Sequence, residues 1–193
     1  MVELEHTRDL LVELGLHTAA ALLDARLEAA AHSELTYLSF LGGLLDVEKA
    51  ERKQRSEETR LKLSRLPHRK TIDEFDFNFQ PSVDMRQIKE LSTLAFVARS
   101  ENVIFLGPPG VGKTHLAVGL AVQALRSGLT VYFVSLSQLI ADLKKSMMMG
   151  RLDRRWKVYI RPDILIVDEV GYAQLDRSEE RRVGKECLRL CRS

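Results

Sequence analysis

Residues 107–114 read Gly-Pro-Pro-Gly-Val-Gly-Lys-Thr, and this stretch decides the fold. It matches the phosphate-binding pattern G-x-x-x-x-G-K-[ST] at every fixed position. Glycines let the backbone N–H groups curl around a phosphate without interference from Cβ atoms. A helix that begins in such a loop adds the positive end of its dipole. The pattern therefore predicts a triphosphate site on a strand–loop–helix unit.

The residue types within the loop predict separate roles. Lys113 is expected to reach the β- and γ-phosphates of ATP and to assist catalysis, and the Thr114 hydroxyl is expected to ligate Mg²⁺. An apolar run enters the loop and a helical pattern leaves it, which supports this interpretation. The residues predicted to surround the nucleotide are Gly107, Pro108, Pro109, Gly110, Val111, Gly112, Lys113 and Thr114.

A second motif follows further along the chain. Residues 164–169 read Ile-Leu-Ile-Val-Asp-Glu, which is an apolar strand with two acids at its carboxyl end. Ligands of open α/β sheets bind at that end of the strands. Asp168 is therefore predicted to hold Mg²⁺ through water, and Glu169 is predicted to orient and polarise the attacking water as a general base.

Apolar strands and helical patterns alternate around these motifs. Because the strands are apolar throughout and separated by helices, they indicate an α/β fold with a parallel sheet covered on both faces. An amphipathic helix is expected over residues 85–99, before the first strand. The predicted strands are 102–106, 130–134 and 163–167, and the helices that follow are 113–126, ended by Gly128, and 138–149.

Residues 1–66 predict a small all-α arm. Leucines and alanines recur at helical spacing, with an interruption at Gly15 and a second run that Ser33 is expected to cap. Charges become dense over 47–65, as on an exposed helix. Pro67 ends the arm, which is too small to be expected to fold by itself.

Three phenylalanines follow the arm. Thr71 and Glu74 fit a capping box, yet Phe75, Phe77 and Phe79 alternate with polar residues, which favours an extended segment. One interpretation is that these rings seal the join between the arm and the α/β domain. The other places one ring against an adenine base.

Charge is distributed unevenly. Residues 1–47 carry a net charge of −6, whereas residues 48–70 carry +5. A second basic cluster has one acid, Asp153. Each basic cluster is either a solvated face or a footprint for the phosphates of nucleic acid, which basic side chains bind by releasing counterions. The bases of the second cluster are Lys144, Lys145, Arg151, Arg154, Arg155, Lys157 and Arg161.

Residues 177–193 are predicted to be non-native. They show neither strand alternation nor an apolar helical face, and 177–187 resembles the translation of a sequencing adapter. Residues 1–176 then have a net charge of −1 and no cysteine, so overall charge is no argument for nucleic acid, and disulfides and cysteine-based zinc sites are excluded. The predicted domains are 1–66, 67–176 and this tail.

Neither a membrane span nor a signal peptide is expected. No apolar run approaches the roughly 18–20 residues that a span needs, and the N-terminus is acidic. The sequence thus predicts a cytoplasmic protein. His115 is interpreted as a helix residue without chemistry, and the three methionines at 147–149 as core or interface filling.

The motifs together resemble the IstB family of AAA+ ATPases, which assist the transposition of insertion sequences and are related to bacterial helicase loaders. The resemblance rests on 107–117, on Ile-Val-Asp-Glu-Val-Gly-Tyr at 166–172, and on Lys70 and Thr71 followed by Phe-Asp-Phe at 75–77. It implies that ATP and Mg²⁺ bind between subunits of a homo-oligomer. That oligomer would assemble on double-stranded DNA, largely without sequence preference, and present bent DNA to a transposase before ATP hydrolysis resets it.

Two alternatives stay open: a helicase-loader-type ATPase, and a truncated remnant that binds nucleotide or DNA without hydrolysis. The family pattern continues beyond residues 175–177 with a strand that lies between those at 102–106 and 163–167. Its absence predicts an incomplete sheet with unpaired backbone groups, each costing about 1–3 kcal/mol. A sensor residue and an arginine finger would also be missing, so poor folding and weak hydrolysis are expected.

Overall fold

A computed structural model gives the fold. No helix in the described part of the chain is long and apolar enough to cross a membrane. The chain divides into two compact units, one up to Arg60 and one from Leu61 onward. The domain boundary at residue 66 and the separate status of 177–193 stay predictions. Phe79 and the residues after Val170 lie outside the described part, which comprises residues 2–33, 35–78, 80–81 and 83–170.

The first unit is helical, with Gly15 in a left-handed conformation (φ 72°) between the first two helices. The expected cap at Ser33 is wrong, because Ser33 ends the second helix. Thr36 performs this role instead: its Oγ1 accepts a hydrogen bond from the Ser39 N–H at 3.2 Å as the third helix begins. The helices are α1 (Val2–Glu13), α2 (His17–Ser33) and α3 (Tyr37–Leu63).

A buried glutamate joins α2 to α3. Glu48 is 3% exposed, and its Oε2 accepts hydrogen bonds from the N–H groups of Thr18 (2.8 Å) and Ala19 (3.0 Å) in the first turn of α2. Arg52 Nε donates to Oε1 at 3.0 Å. Leu16, which precedes α2, offers no capping oxygen, so a carboxylate from α3 satisfies these amides. Ala19, Leu23 and Leu44 form the adjacent apolar core.

The helix predicted over residues 85–99 is two helices, α4 (Met85–Ser92) and α5 (Ala95–Ala98). The chain breaks at Leu94, which adopts a left-handed conformation (φ 61°). The break turns Leu94 into one apolar cluster, against Ala121 and Ala124, while Ile88 of α4 packs into another. The burial of Leu94 and Ile88 in separate clusters outweighs the free-energy cost of the left-handed backbone at Leu94, which is about 1–2 kcal/mol.

The helix α6 (Lys113–Arg126) has the predicted bounds and is the most buried element, with Val118 and Ala124 fully inaccessible. Beside it, β1 (Val131–Ser135) and β2 (Ile164–Asp168) form a parallel pair in which Ser135 lies opposite Asp168. The predicted parallel sheet is confirmed for these strands, each shifted by one residue. The helices α7 (Leu136–Met148) and α8 (Leu152–Ile160) connect β1 to β2, and α8 was not predicted.

The strand predicted over residues 102–106 is wrong. These residues pair with no strand in the described part of the chain, and Ile104 and Leu106 are 77% and 89% exposed. A strand forms only where a neighbour satisfies its backbone groups. No described strand occupies the position beside this segment, so its apolar sequence alone does not make it a strand.

The carboxylate of Glu48 is expected to stabilise the first unit. Burial raises the pKa of Glu48, but hydrogen bonds from Ala19, Arg52 and Thr18 outweigh burial and leave the pKa below its usual 4.5. Glu48→Gln should therefore lower stability by about 1–2 kcal/mol at pH 7. The difference should shrink as pH falls below 4.5 and the wild-type carboxylate takes up a proton. Thermal unfolding followed by far-UV circular dichroism measures both effects.

The matched control is Glu58→Gln, which alters an exposed glutamate on the same helix. That change should alter stability by less than about 0.5 kcal/mol. Equal losses in the two variants would contradict a capping role for Glu48.

Candidate functional site

The loop at 107–114 leads directly into α6. Gly110 (φ 82°) and Gly112 (φ 85°) hold left-handed conformations, which L-residues with a Cβ adopt at a cost. Gly112 is the N-cap of α6 and supplies no side chain to its first amides. The free N–H groups at this helix start face the loop and favour an anionic ligand.

The two sequence motifs meet at one hydrogen bond. Thr114 Oγ1, in the first turn of α6, donates to Asp168 Oδ2, at the end of β2, over 2.9 Å. The other oxygen, Oδ1, accepts the N–H of Glu169 at 2.9 Å. Both oxygens of Asp168 are thus oriented by neighbours, and residues 54 positions apart are brought together.

Glu169 has an exposed side chain and a left-handed backbone (φ 58°). This conformation is unfavourable for a residue with a Cβ, and such strain is concentrated at functional sites. The backbone turns as soon as β2 ends, so the carboxylates of Asp168 and Glu169 need not alternate across the sheet as they would in a continuing strand. The sequence motif gave no indication of this turn.

Lys113 lies at the same place. Its Nζ donates to the carbonyl oxygens of Gly107 (2.8 Å) and Pro108 (2.7 Å), so the ammonium is held over the loop that it follows. Lys113, Thr114, Asp168 and Glu169 line one cleft of about 1310 Å³, which also exposes the strand-like segment before Gly107. The structure therefore brings residues of both motifs to one cleft, while Pro108, Val111 and Gly112 do not line it.

The Phe75 ring packs against the loop at Gly112. A Cβ added to Gly112 would lie 2.5 Å from Cε2 of Phe75, whose side chain is 8% exposed and packs with Ile88 and Leu116. Any other residue at position 112 would require the Phe75 ring or the loop to shift. The pattern G-x-x-x-x-G-K-[ST] explains this glycine by backbone conformation, whereas the structure adds a steric reason that no local pattern contains.

The segment that carries Phe75 forms turns, not the extended strand-like stretch expected from its alternation. The Glu74 carboxylate accepts the Thr71 N–H at 2.6 Å, which is one half of the predicted capping box. Phe75 and Phe77 contact edge to face at 4.9 Å between centroids. The residues that pack with Phe75, among them Ile88 and Leu116, follow the predicted arm in sequence. The sealing role and an adenine contact therefore both stay predictions.

His115 connects this segment to α6. Its Nε2 donates to the Thr71 carbonyl oxygen at 2.9 Å, and its ring meets Phe75 edge to face at 5.4 Å. His68 lies at 6.0 Å in a similar geometry, and burial, followed by repulsion from His115, lowers the pKa of His68. His115 therefore has a positioning role next to the loop, which the sequence analysis did not assign.

Three of the nine bases in the first basic cluster face carboxylates within α3. Arg52, Lys53 and Arg55 each face a carboxylate one helical turn away, at 3.0, 3.9 and 3.1 Å. The pairs of Lys53 and Arg55 are more exposed than that of Arg52 with the buried Glu48, and exposed pairs stabilise a helix by only about 0.3–0.5 kcal/mol. For these three bases the pairing favours the interpretation of a solvated face.

The second basic cluster divides into an internal part and an exposed part. Arg155 is half-buried, binds the carboxylate of Asp142, and lies over the Tyr159 ring at 5.3 Å. Tyr159 donates to Asp142 Oδ2 at 2.8 Å, and burial raises the pKa of Tyr159 to about 12. The hydrogen bond from Tyr159, then that from Arg155, lowers the pKa of Asp142. Arg155 is thus structural, while the remaining bases of this cluster are exposed.

The sequence of the chain has counterparts among known proteins. The family model described as IstB-like ATP binding protein matches residues 9–185 of the chain. The chain belongs to this IstB-like family. The resemblance inferred from the motifs is therefore confirmed. The match runs into the segment predicted to be non-native, whose status stays a prediction.

Individual relatives come from insertion sequences. The chain is 49% identical over 157 residues to a putative ATP-binding protein of IS21 from Pseudomonas aeruginosa, covering 81% of the chain and 59% of the relative. For an IS5376 protein of Geobacillus stearothermophilus the identity is 45% over 163 residues, covering 84% and 65%. An IS21-like protein of Bacteroides fragilis is 31% identical over 182 residues, covering 93% and 69%. The chain spans about 60% of the length of the first two.

The donor set fits a magnesium nucleotide. Mg²⁺ in nucleotide sites uses one or two protein oxygens together with phosphates and water. Thr114 and Asp168 supply such oxygens beside a helix start that favours anions. Among the described residues, no group of three or more His, Cys, Asp or Glu side chains forms an all-protein metal site.

A methyl group at position 112 is expected to disrupt the loop. Gly112→Ala adds the cost of a left-handed alanine, about 1–2 kcal/mol, to a clash with Phe75. Gly110→Ala is the matched control, because its φ is nearly the same but nothing lies within 4 Å of the added Cβ. Urea unfolding followed by the fluorescence of Trp156, the one tryptophan, should show a clearly larger loss for Gly112→Ala. Equal losses would mean that Phe75 does not restrict position 112.

Proposed function

We propose that this chain is an ATP-binding helper of DNA transposition that hydrolyses ATP as it assembles on target DNA in the cytoplasm. The observation that carries the proposal is the hydrogen bond between Thr114 and Asp168, which joins the phosphate-binding loop to the acidic strand end. Membership in the IstB-like family and relatives from insertion sequences support it. These relatives favour transposition over helicase loading.

The chain's own residues would divide the work in the nucleotide site. Backbone N–H groups at 107–114 would bind the phosphates, and Lys113 would exchange its two loop carbonyls for phosphate oxygens. Thr114 and Asp168 would hold Mg²⁺. Glu169 would orient a water molecule and accept its proton. The bound magnesium nucleotide would supply the electrophilic phosphorus and neutralise charge that develops on its oxygens.

A homo-oligomer with ATP between its subunits, double-stranded DNA and a transposase complete the proposed assembly. The DNA contacts are assigned to the exposed bases on α7 and α8, because three of the six bases on α3 already face carboxylates. Contacts with phosphates position a protein on DNA without reading its sequence, in keeping with a helper that accepts many targets.

One observation favours a second candidate function. Residues 102–106, which lead into the loop, pair with no described strand and expose Ile104 and Leu106. A loop that lacks a paired strand on one side positions its ligands less precisely. Because catalysis requires precise positioning, such a loop favours binding without hydrolysis. The second candidate is therefore a module that binds nucleotide or DNA without hydrolysis.

Two substitutions separate these candidates. Lys113→Ala should weaken ATP binding by at least about 10-fold, because the phosphates then lack a charge-assisted hydrogen bond. Glu169→Gln should keep ATP affinity within a few-fold and lower phosphate release about 10²–10⁴-fold, as loss of a general base does. Binding is measured with a fluorescent ATP analogue, and phosphate release is measured with and without DNA. Wild-type release no greater than that of Lys113→Ala would support the second candidate.

The DNA footprint has its own test. Lys145→Ala, Arg151→Ala and Arg154→Ala combined should weaken duplex binding and reduce the slope of log affinity against log salt by about one unit for each phosphate that is no longer bound. Lys53→Ala with Arg55→Ala is the matched control on α3 and should leave that slope nearly unchanged. Fluorescence anisotropy at several salt concentrations measures the slopes. A weakening confined to the α3 variant would reverse the assignment.

A further inference from the structure

The turn between α7 and α8 presents an apolar tip. The three methionines at 147, 148 and 149 are 67%, 89% and 57% exposed, so of the two expectations from sequence, core or interface filling, the core is wrong. Trp156 and Ile160 on α8 are 37% and 61% exposed. Consecutive large apolar side chains in water mark an interaction surface more strongly than scattered ones do.

Hydrogen bonds hold the turn that carries the tip. Gly150 closes the turn in a left-handed conformation (φ 63°), and the Arg151 N–H donates to the Ser146 carbonyl at 2.8 Å. Below the turn, Asp142 of α7 binds both Arg155 and Tyr159 of α8.

Tyr159 anchors the hairpin to the sheet. It is 2% exposed and meets Tyr132 of β1 edge to face at 5.6 Å. The methionines therefore project from a braced helical hairpin and not from an unsupported loop.

Positive charge surrounds the tip. Lys145 lies just before the methionines, and Arg151, Arg154 and Lys157 follow them, all with exposed side chains. Asp153 is the one acid between residues 144 and 161. An apolar protein partner would not require basic side chains around the tip. The phosphates of DNA are negatively charged and bind such side chains.

We propose that this tip is a wedge that inserts methionine side chains between base pairs of double-stranded DNA, with the flanking bases on the phosphates. Methionine is among the apolar residues that proteins insert from the minor groove, where they unstack a base step and kink the duplex. The basic side chains provide affinity, and Met147 and Met148 provide the kink. The inference rests on the proposed DNA-binding function and adds how the DNA is deformed.

The division of labour can be measured on the full chain. The duplex is 30 base pairs with 2-aminopurine at its centre and a fluorophore pair at its ends. The wedge variant combines Met147→Gln, Met148→Gln and Met149→Gln, since glutamine keeps length and helix propensity. The matched variant combines Lys145→Gln, Arg151→Gln and Arg154→Gln. Circular dichroism first checks that both keep the wild-type helix content.

Wild type is expected to raise 2-aminopurine fluorescence and shorten the end-to-end distance. The wedge variant should bind within about 5-fold of wild type, with the same salt slope, yet lose both signals, because phosphate contacts and not base contacts dominate affinity. The basic variant should lose at least about 10-fold in affinity and have a shallower salt slope.

Three outcomes would overturn the wedge. Wild-type binding without unstacking or shortening rejects it and leaves DNA binding intact. A wedge variant that deforms DNA as well as wild type also rejects it, and assigns the methionines to a protein contact, for which their adaptable side chains are suited. Absence of any DNA binding by wild type rejects the wedge together with the DNA part of the proposed function.

Discussion

The parallel pairing of β1 with β2 fixes Asp168 in front of the phosphate-binding loop. Its register sets Ser135 opposite Asp168, and α6 packs against the same strands with its first turn at their carboxyl ends. The Thr114 hydroxyl can reach Asp168 only because α6 begins where β2 ends. Every role suggested for the cleft depends on this arrangement, which is a property of parallel sheets in general.

Local pattern was sufficient for the parts of the site that depend on local backbone. Glycine spacing predicts the loop, and helical periodicity predicts the bounds of α6. The apolar run before Asp168 predicts that the acids lie at the carboxyl end of β2. The break at Leu94 could not be predicted, because the left-handed turn is offset by burial against residues of α6 that lie far away in sequence. Helix α8 was not predicted, because its many charged residues obscure the helical periodicity of its apolar residues.

The segment at 102–106 shows the opposite limit. Its apolar composition predicts a strand, but strand formation depends on what lies beside it, and no described strand does. Phe75 illustrates the same principle in the site itself, because its ring meets Gly112 across a long sequence separation. Sequence alone identified both residues, yet the contact between them requires the fold. The family match carries the motifs but does not supply such contacts.

Ser64 and Arg65, which follow α3, also contact the sheet. The Phe133 N–H of β1 donates to the Ser64 carbonyl oxygen at 2.8 Å, Ser64 is fully inaccessible, and the Arg65 guanidinium lies over Tyr132 at 5.4 Å. Pro67 looks like a natural place to cut. A fragment that started there would lack the Ser64 carbonyl oxygen that accepts the Phe133 N–H, and it would expose the Tyr132 ring. Chimeras between relatives are therefore better joined upstream of Leu61, because the contacts of Ser64 and Arg65 with β1 are then kept.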